Sequence, residues 1–352
     1  MNKPATMVQI AKECGVSIAT VSRVLNGTAP VSQRTRERVE AAIHKHHYTP
    51  NAFARGLIKR QSMTLGIVMP DITNPYFSAM FRAFEQAARA AGYSVFLCNT
   101  SFFSSADKDG SHPPEAAYFK MLLDRQVDGV LVAGGQADLL HVPPEYRNAL
   151  QELASAVPTV VLGNPIRGID CLFLQRETGK GVFASMDHLA SLGHRRIAFL
   201  GGERGVSITE SRLGAYADAL SALGFPYDKE LVSLSDYYAP DGYSAMKSLL
   251  EQKIPFTAAL AINDSVAFGA YRALADFGRR VPEDVSIVSC DQFFSADYFV
   301  PRLTGMDQHN EQFGRFVIQA LLHRIQGIET DARIQSTPDL VLRESCAPPK
   351  AY

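Results

Sequence analysis

The chain has few cysteines, and their spacing does not pair them. Cys14, Cys98, Cys171, Cys290 and Cys346 are five in number, an odd count with no two close together and several inside apolar runs. That argues against a disulfide framework and for a reducing, cytoplasmic setting. No apolar run reaches the length of a membrane span, and no signal segment is expected ahead of the first helical pattern, so neither a membrane partner nor an exported form is expected. The GK[ST] signature of a P-loop is missing, and the glycine-rich turn Gly201-Gly-Glu-Arg-Gly205 is not GxGxxG either. No nucleophile, histidine and acid stand out by spacing, so an enzyme is not expected. His44, His46 and His47 lack the cysteine or carboxylate that would complete a ligand set; neither a metal nor a cofactor is expected.

Charge of one sign is scarce only in the head. Residues 1–60 carry ten Lys/Arg against three acids, net +7, whereas the remaining residues are net −8 within an overall charge of −1. A basic head on an acidic body points to a polyanion that only the head meets. The length of 352 residues suggests two or three domains, and 46% hydrophobic residues are enough for sizeable cores.

The head is organised around Ser17–Asn26, SIATVSRVLN. Wound at 100° per residue, Ile18, Ala19, Ser22, Arg23 and Asn26 fall within an arc of about 140°, while Thr20, Val21, Val24 and Leu25 fill the opposite side. Ser17 is placed to cap the N-terminus, Gly27 stands at a C′ position, and Val16 with Val21 forms a hydrophobic staple. Upstream, Thr6-Met-Val-Gln9 has the capping-box pattern and opens a helix to Cys14, with Gly15 at the turn. This is helix–turn–helix spacing, and coincidence with the basic charge favours a second helix in a DNA major groove over an ordinary helical hairpin.

Ser32 caps a third expected helix ending near His46, with Thr35, Val39, Ala42, Ile43 and His46 inward and Arg34, Arg38 and Lys45 free for phosphates. After Tyr48-Thr-Pro50, residues 51–57 (NAFARGL) form a candidate two-turn helix capped by Asn51, with Phe53 and Leu57 on one face. Gly56 costs it about 1 kcal/mol. So short a helix should form only when held by DNA and a partner chain, and Leu57 then reads as a minor-groove wedge.

From Leu65 the pattern changes to short apolar runs at 65–69, 93–97, 129–134, 158–163, 196–202, 258–262 and 285–289. Helical stretches lie between them near 75–91, 115–125, 178–192, 211–223, 241–252 and 264–277. This alternation predicts a parallel, doubly wound α/β body with two lobes, and ligands beyond the carboxyl ends of the strands.

These residues resemble the lactose-repressor/galactose-repressor (LacI/GalR) family of bacterial transcription regulators. In the head the resemblance rests on IAKECGVSIATVSRVLNG, VSQRTRERVEAAI and YTPNAFARGL. In the body it rests on PDITNPYF, VDGVLV, LGHRRIAFLGG, SRLGAY, INDSVAFGA and VPEDVSIVSCDQ. The resemblance implies an N-terminal helix–turn–helix headpiece (1–50), a hinge (51–62) and a two-lobed periplasmic-binding-protein-like (type I) doubly wound body (63–346). One lobe would hold about 63–163 and 307–335, the other about 164–306 and 336–346. It also implies a homodimer on a pseudo-palindromic double-stranded operator. Ile18, Ala19, Ser22 and Arg23 would face base edges or nearby phosphates, Ser17 and Thr20 would support backbone contacts, and Leu57 would intercalate; Thr6, Asn26, Asn51 and Ala54 complete the expected DNA-contacting set. Arg23 has the strongest independent chemistry, since a guanidinium can bond guanine N7 and O6 together.

For a small-molecule effector between the lobes, the resemblance points to Asp71, Asn74, Tyr76, Phe77, Arg212, Tyr237, Asn263 and Asp291. A carboxylate, an amide and a guanidinium orient hydroxyls while a ring covers an apolar face, which suits a sugar or a similar metabolite. Gln175-Arg176, Gly163-Asn164 and the loop 101–114 depart from the family pattern; Arg176 suits either an anionic ligand or the surface. The main competing reading is a solute-binding receptor with the same body and no DNA role.

Overall fold

The computed structural model describes residues 6–26, 30–46, 48, 61–100, 115–330 and 337–350. It divides into two compact units, Met1–Ser62 and Met63–Tyr352.

In the first unit, helices Met7–Glu13, Ile18–Asn26 and Gln33–Lys45 enclose a small core of Ile10, Val21, Val24, Val39 and Ala42. Thr6 and Gln9 form a reciprocal capping box. The Ser17 hydroxyl accepts from the Thr20 N–H (3.1 Å), and Gly15 turns the chain at φ +55. Such caps satisfy amide donors that a helix leaves unpaired at its start. Two expectations for the third helix need correction. Lys45 is not free, and His46 is exposed rather than inward: both bind Glu13, at 2.8 and 2.5 Å. The pair of donors holds the Glu13 carboxyl below its ordinary range.

The second unit contains two sheets of the same design. The first runs β2(Ser94–Asn99), β1(Thr64–Met69), β3(Gly129–Ala133), β4(Thr159–Leu162), β5(Leu172–Leu174), all parallel. The second runs β7(Val232–Ser233), β6(Ile197–Leu200), β8(Ala258–Ala261), β9(Ser286–Ser289), β10(Thr304–Asp307), with β11(Asp339–Val341) antiparallel at the edge. Each order reverses direction beside its first strand, which opens a crevice at the carboxyl ends.

The strands are apolar on both faces because both are covered. Ile67 and Met69 join Phe84 and Val317 on one side of the first sheet, while Val68 and Val130 join Phe119 and Leu150 on the other. Alternate residues of a strand face opposite ways, so a continuous apolar run feeds two helix layers at once. The helices on the first side are Pro75–Ala90 and Asn310–Ile325, so the chain returns to the first lobe after β10.

The lobe boundary at residue 163 is corrected. Leu172–Leu174 pairs with β4, so residues 164–174 stay with the first lobe and the chain crosses after Leu174. Helices Pro144–Ala156 and Asn310–Ile325, and strands β5, β7, β10 and β11, went unread in the sequence. The second of these helices carries an interior glycine for a packing reason: a Cβ on Gly314 would lie 2.4 Å from that of Ala83. The hinge positions Asn51, Ala54 and Leu57, and the loop 101–114, lie outside the described residues. Among the described residues no helix is long and apolar enough to cross a membrane.

Candidate functional site

Two surfaces carry chemistry, one in each unit. On helix Ile18–Asn26, Val21 and Val24 are buried, whereas Ile18 (48% exposed), Ala19 and Arg23 are exposed and Ser22 is half-buried. The burial pattern therefore separates the two sides of the helix as its periodicity requires. Ser17 and Thr20 bond each other through their hydroxyls at 2.9 Å, beside the cap. Thr6 is exposed at the mouth of its capping box. Arg34 and Arg38 are exposed on the third helix.

In the body a cavity of about 440 Å³ lies between the lobes, within the range of small-molecule sites. Its walls are strand ends, the turns that follow them and the first turns of helices Pro75–Ala90, Ser207–Ala222 and Asn310–Ile325. Asn74, Tyr76, Phe77, Arg212, Tyr237, Asn263 and Asp291 all line it. Asp71 does not. Its Oδ1 accepts from the amide and hydroxyl of Thr73 (2.8 and 2.7 Å), and its Oδ2 accepts from the Tyr238 hydroxyl (2.6 Å). A carboxylate satisfied this way joins the lobes rather than facing a ligand. A second inter-lobe contact is made by backbone alone, where the Leu140 N–H donates to the Gly205 carbonyl at 2.8 Å.

The chemical centre of the cavity is the Arg212–Asp291 pair. Two parallel bonds of 3.0 and 2.7 Å join them, and each side chain is only 4% exposed. Arg212 also donates to the Ile262 carbonyl, while its Nε has no partner among the described residues. Burial works against the guanidinium charge, but Asp291 beside it, with Cys290 and Tyr76, raises the Arg212 pKa on balance. Asn263 spends both ends of its amide locally: Oδ1 accepts from the Val266 N–H (2.9 Å) and Nδ2 donates to the Tyr237 carbonyl (3.0 Å). Asn74 likewise caps its helix through the Tyr76 N–H at 3.0 Å. These two therefore shape the wall and offer only their remaining lone pairs and protons. Tyr76 and Phe77 meet edge to face at 5.1 Å.

Arg176 also lines this cavity. Its guanidinium lies 4.0 Å above the Phe313 ring and donates to Asn310 Oδ1 (2.8 Å) and to the Gln308 carbonyl. Sequence reasoning passed over Asp138, Tyr238 and Phe313. Asp138 follows strand β3 in AGGQAD, and an acid just past a strand end was the available signal. The other two have no local signature, since each reaches the cavity from an element whose place depends on the whole fold.

Residues 6–51 match the bacterial regulatory proteins of the lacI family, and residues 186–346 match the periplasmic binding protein-like domain. The chain is 32% identical over 349 residues to the HTH-type transcriptional repressor PurR of Haemophilus influenzae (strain PittEE), covering 97% of this chain and 98% of the relative. It is 30% identical over 352 residues to the HTH-type transcriptional regulator DegA of Bacillus subtilis (strain 168), with the same coverage, 97% and 98%. Among solved structures, the lac repressor dimer bound to operator and the anti-inducer ONPF superposes with a TM-score of 0.84 at 26% identity, covering 98% of this chain and 100% of that one. The transcriptional regulator CelR–cellobiose complex superposes with a TM-score of 0.68 at 30% identity, covering 97% and 99%.

Proposed function

This chain belongs to the lacI family of bacterial regulatory proteins, and from that premise we propose that it is a cytoplasmic, homodimeric repressor whose operator affinity is set by a sugar or sugar derivative bound between its lobes. The observation that carries the reading is the exposed row Ile18, Ala19 and Arg23 on a capped helix whose other side is core. A solute receptor has no use for such a face. Base edges would meet Ile18, Ala19, Ser22 and Arg23, with Thr6, Ser17, Thr20 and Asn26 near the backbone. Residues Asn51, Ala54 and Leu57 of the hinge would enter the minor groove.

One helix reads too few bases for a unique genomic site, so a two-fold dimer on a pseudo-palindrome follows. For the dimer contact we point to the second lobe, where Tyr298 (81%) and Val300 (91%) stand exposed beside Phe299, whose ring packs 5.7 Å from that of Phe268. Effector binding would change the spacing of the lobes next to the hinges, and so the population in which residues 51–57 are helical on DNA. Sequencing of DNA fragments selected by the purified protein in 0.1–0.2 M salt (roughly physiological) tests the whole reading. A single palindromic motif is the expected result; no enriched motif with or without added metabolites overturns it.

The lobe contact gives a separate prediction. Tyr238→Phe removes the bond to Asp71 and should weaken the closed form by about 1 kcal/mol, a several-fold shift toward open lobes. Small-angle scattering of the effector-free protein should show a larger radius of gyration. An unchanged radius would mean that the contact does not hold the lobes.

A further inference from the structure

Among the described residues six charged side chains line the cavity between the lobes, and four of them are accounted for. Asp291 is bound by Arg212. Glu177 pairs with Lys180, and Glu210 accepts the Gly205 N–H at 2.9 Å. Arg176 and Asp138 remain. Among the described residues the acceptors of Arg176 are neutral: the Asn310 amide oxygen, the Gln308 carbonyl, the Met80 sulfur and the Tyr76 hydroxyl. Among the described residues no carboxylate lies within ion-pair distance of it. Among the described residues Asp138 has no hydrogen-bond partner, and burial with no cation to offset it pushes its carboxyl up to about 7. So Arg176 does not answer Asp138. The two face one cavity as a separated guanidinium donor and a separated carboxyl acceptor.

We propose that the effector is an acidic sugar, whose carboxylate or phosphate is seated on Arg176 and one of whose hydroxyls is donated to Asp138. This rests on the effector cleft of the preceding section and names its ligand class. A guanidinium held flat on a ring by neutral acceptors has no counter-charge, and the edge of its planar fork not taken by Asn310, Gln308, Met80 and Tyr76 remains for a carboxylate or phosphate. A half-buried carboxyl without a donor is costly, and a ligand hydroxyl relieves that cost where an ether or a methyl group would not. The Arg212–Asp291 pair, with a donor on one side and an acceptor on the other, suits further hydroxyls. An acidic sugar supplies the anion at one end and hydroxyl donors along the ring; a neutral sugar leaves Arg176 unanswered.

The other role open to Arg176 is structural. It sits where the chain first crosses between lobes, and its acceptors Gln308 and Asn310 sit where the chain crosses back. The test separates the two roles by selectivity rather than by affinity alone. The full-length protein is titrated calorimetrically with hexuronates, aldonates, hexose and pentose phosphates, and the neutral sugar corresponding to each. We expect at least one acidic member to bind, at least about tenfold more tightly than its neutral counterpart. Arg176→Gln should abolish that preference, and Arg176→Lys should retain it in weaker form even if the crossovers loosen. Asp138→Asn should weaken the acidic member and its neutral counterpart together. Equal binding of acidic and neutral sugars, binding of neutral sugars alone, no binding by any acidic member, or equal losses for both classes in Arg176→Gln overturns the proposal. In each of those cases selection of a palindromic operator would still stand, so failure of the ligand class is distinguishable from failure of the regulator reading.

Discussion

Arg212→Ala is expected to destabilise the body by about 3–5 kcal/mol, because it leaves a buried carboxylate without its cation. Asp291 is 4% exposed, and both its oxygens are bound by Arg212. The Ile262 carbonyl loses its donor in the same step. Urea unfolding should show a lower midpoint with an unchanged slope, the signature of altered stability rather than altered compactness. Replacing both partners, Arg212→Met with Asp291→Leu, should recover most of the loss, since an apolar pair of similar volume is about as stable as a buried ion pair. That double variant separates the two roles of the pair. It should keep its operator and lose its response to effector, because the hydroxyl-orienting groups are gone while the fold remains. A loss below about 1 kcal/mol for Arg212→Ala, the size measured for exposed pairs, would show that water reaches the site and that the pair is not the buried centre described above.

The pair also marks how far the sequence reaches. Arg212 and Asp291 are each legible, one in SRLGAY and one at the end of the VPEDVSIVSCDQ run. Their juxtaposition is not, because 79 residues separate them and only the strand order β6–β8–β9 brings helix Ser207–Ala222, which carries Arg212, beside the turn after β9. Asp71 stands outside the cavity lining for the opposite reason. A carboxylate after a strand looks like a ligand group, but Thr73 two residues on supplies its donors, and Tyr238 from the other lobe takes the rest. Nothing local to Lys45 signals its ion pair, because its partner Glu13 lies on another helix. Periodicity told which side of helix Ile18–Asn26 is core, since a short amphipathic helix records its environment in its own residues. It was silent on Asn310–Ile325, where a glycine forced by close approach to Ala83 weakens the helical signal. Strands of two or three residues, such as Val232–Ser233 and Leu172–Leu174, are too short for any pattern to register.

The second large effect is expected at Arg23. Its side chain leaves the exposed side of a helix whose opposite side is anchored by Val21 and Val24, so its loss should not disturb the core. A bidentate contact to guanine discriminates against the wrong base by about 1–3 kcal/mol. A dimer carries two copies, so Arg23→Ala should cost roughly 2–6 kcal/mol in operator affinity if the half-sites contribute independently. The loss should be confined to the specific operator, and the variant should tolerate substitution at the base pair that Arg23 reads. Arg38→Ala gives the contrast. Arg38 is exposed on the third helix, where the proposed reading has its guanidinium meet phosphate and not a base edge. Its removal should weaken binding to every sequence alike and lower the salt slope by about one per protomer. Titration of operator and scrambled duplexes across a salt series resolves both variants at once. If Arg23→Ala weakened the two duplexes equally and Arg38→Ala relaxed sequence preference, the base-reading role would belong to the third helix, and the placement of Ile18–Asn26 in the major groove would be wrong.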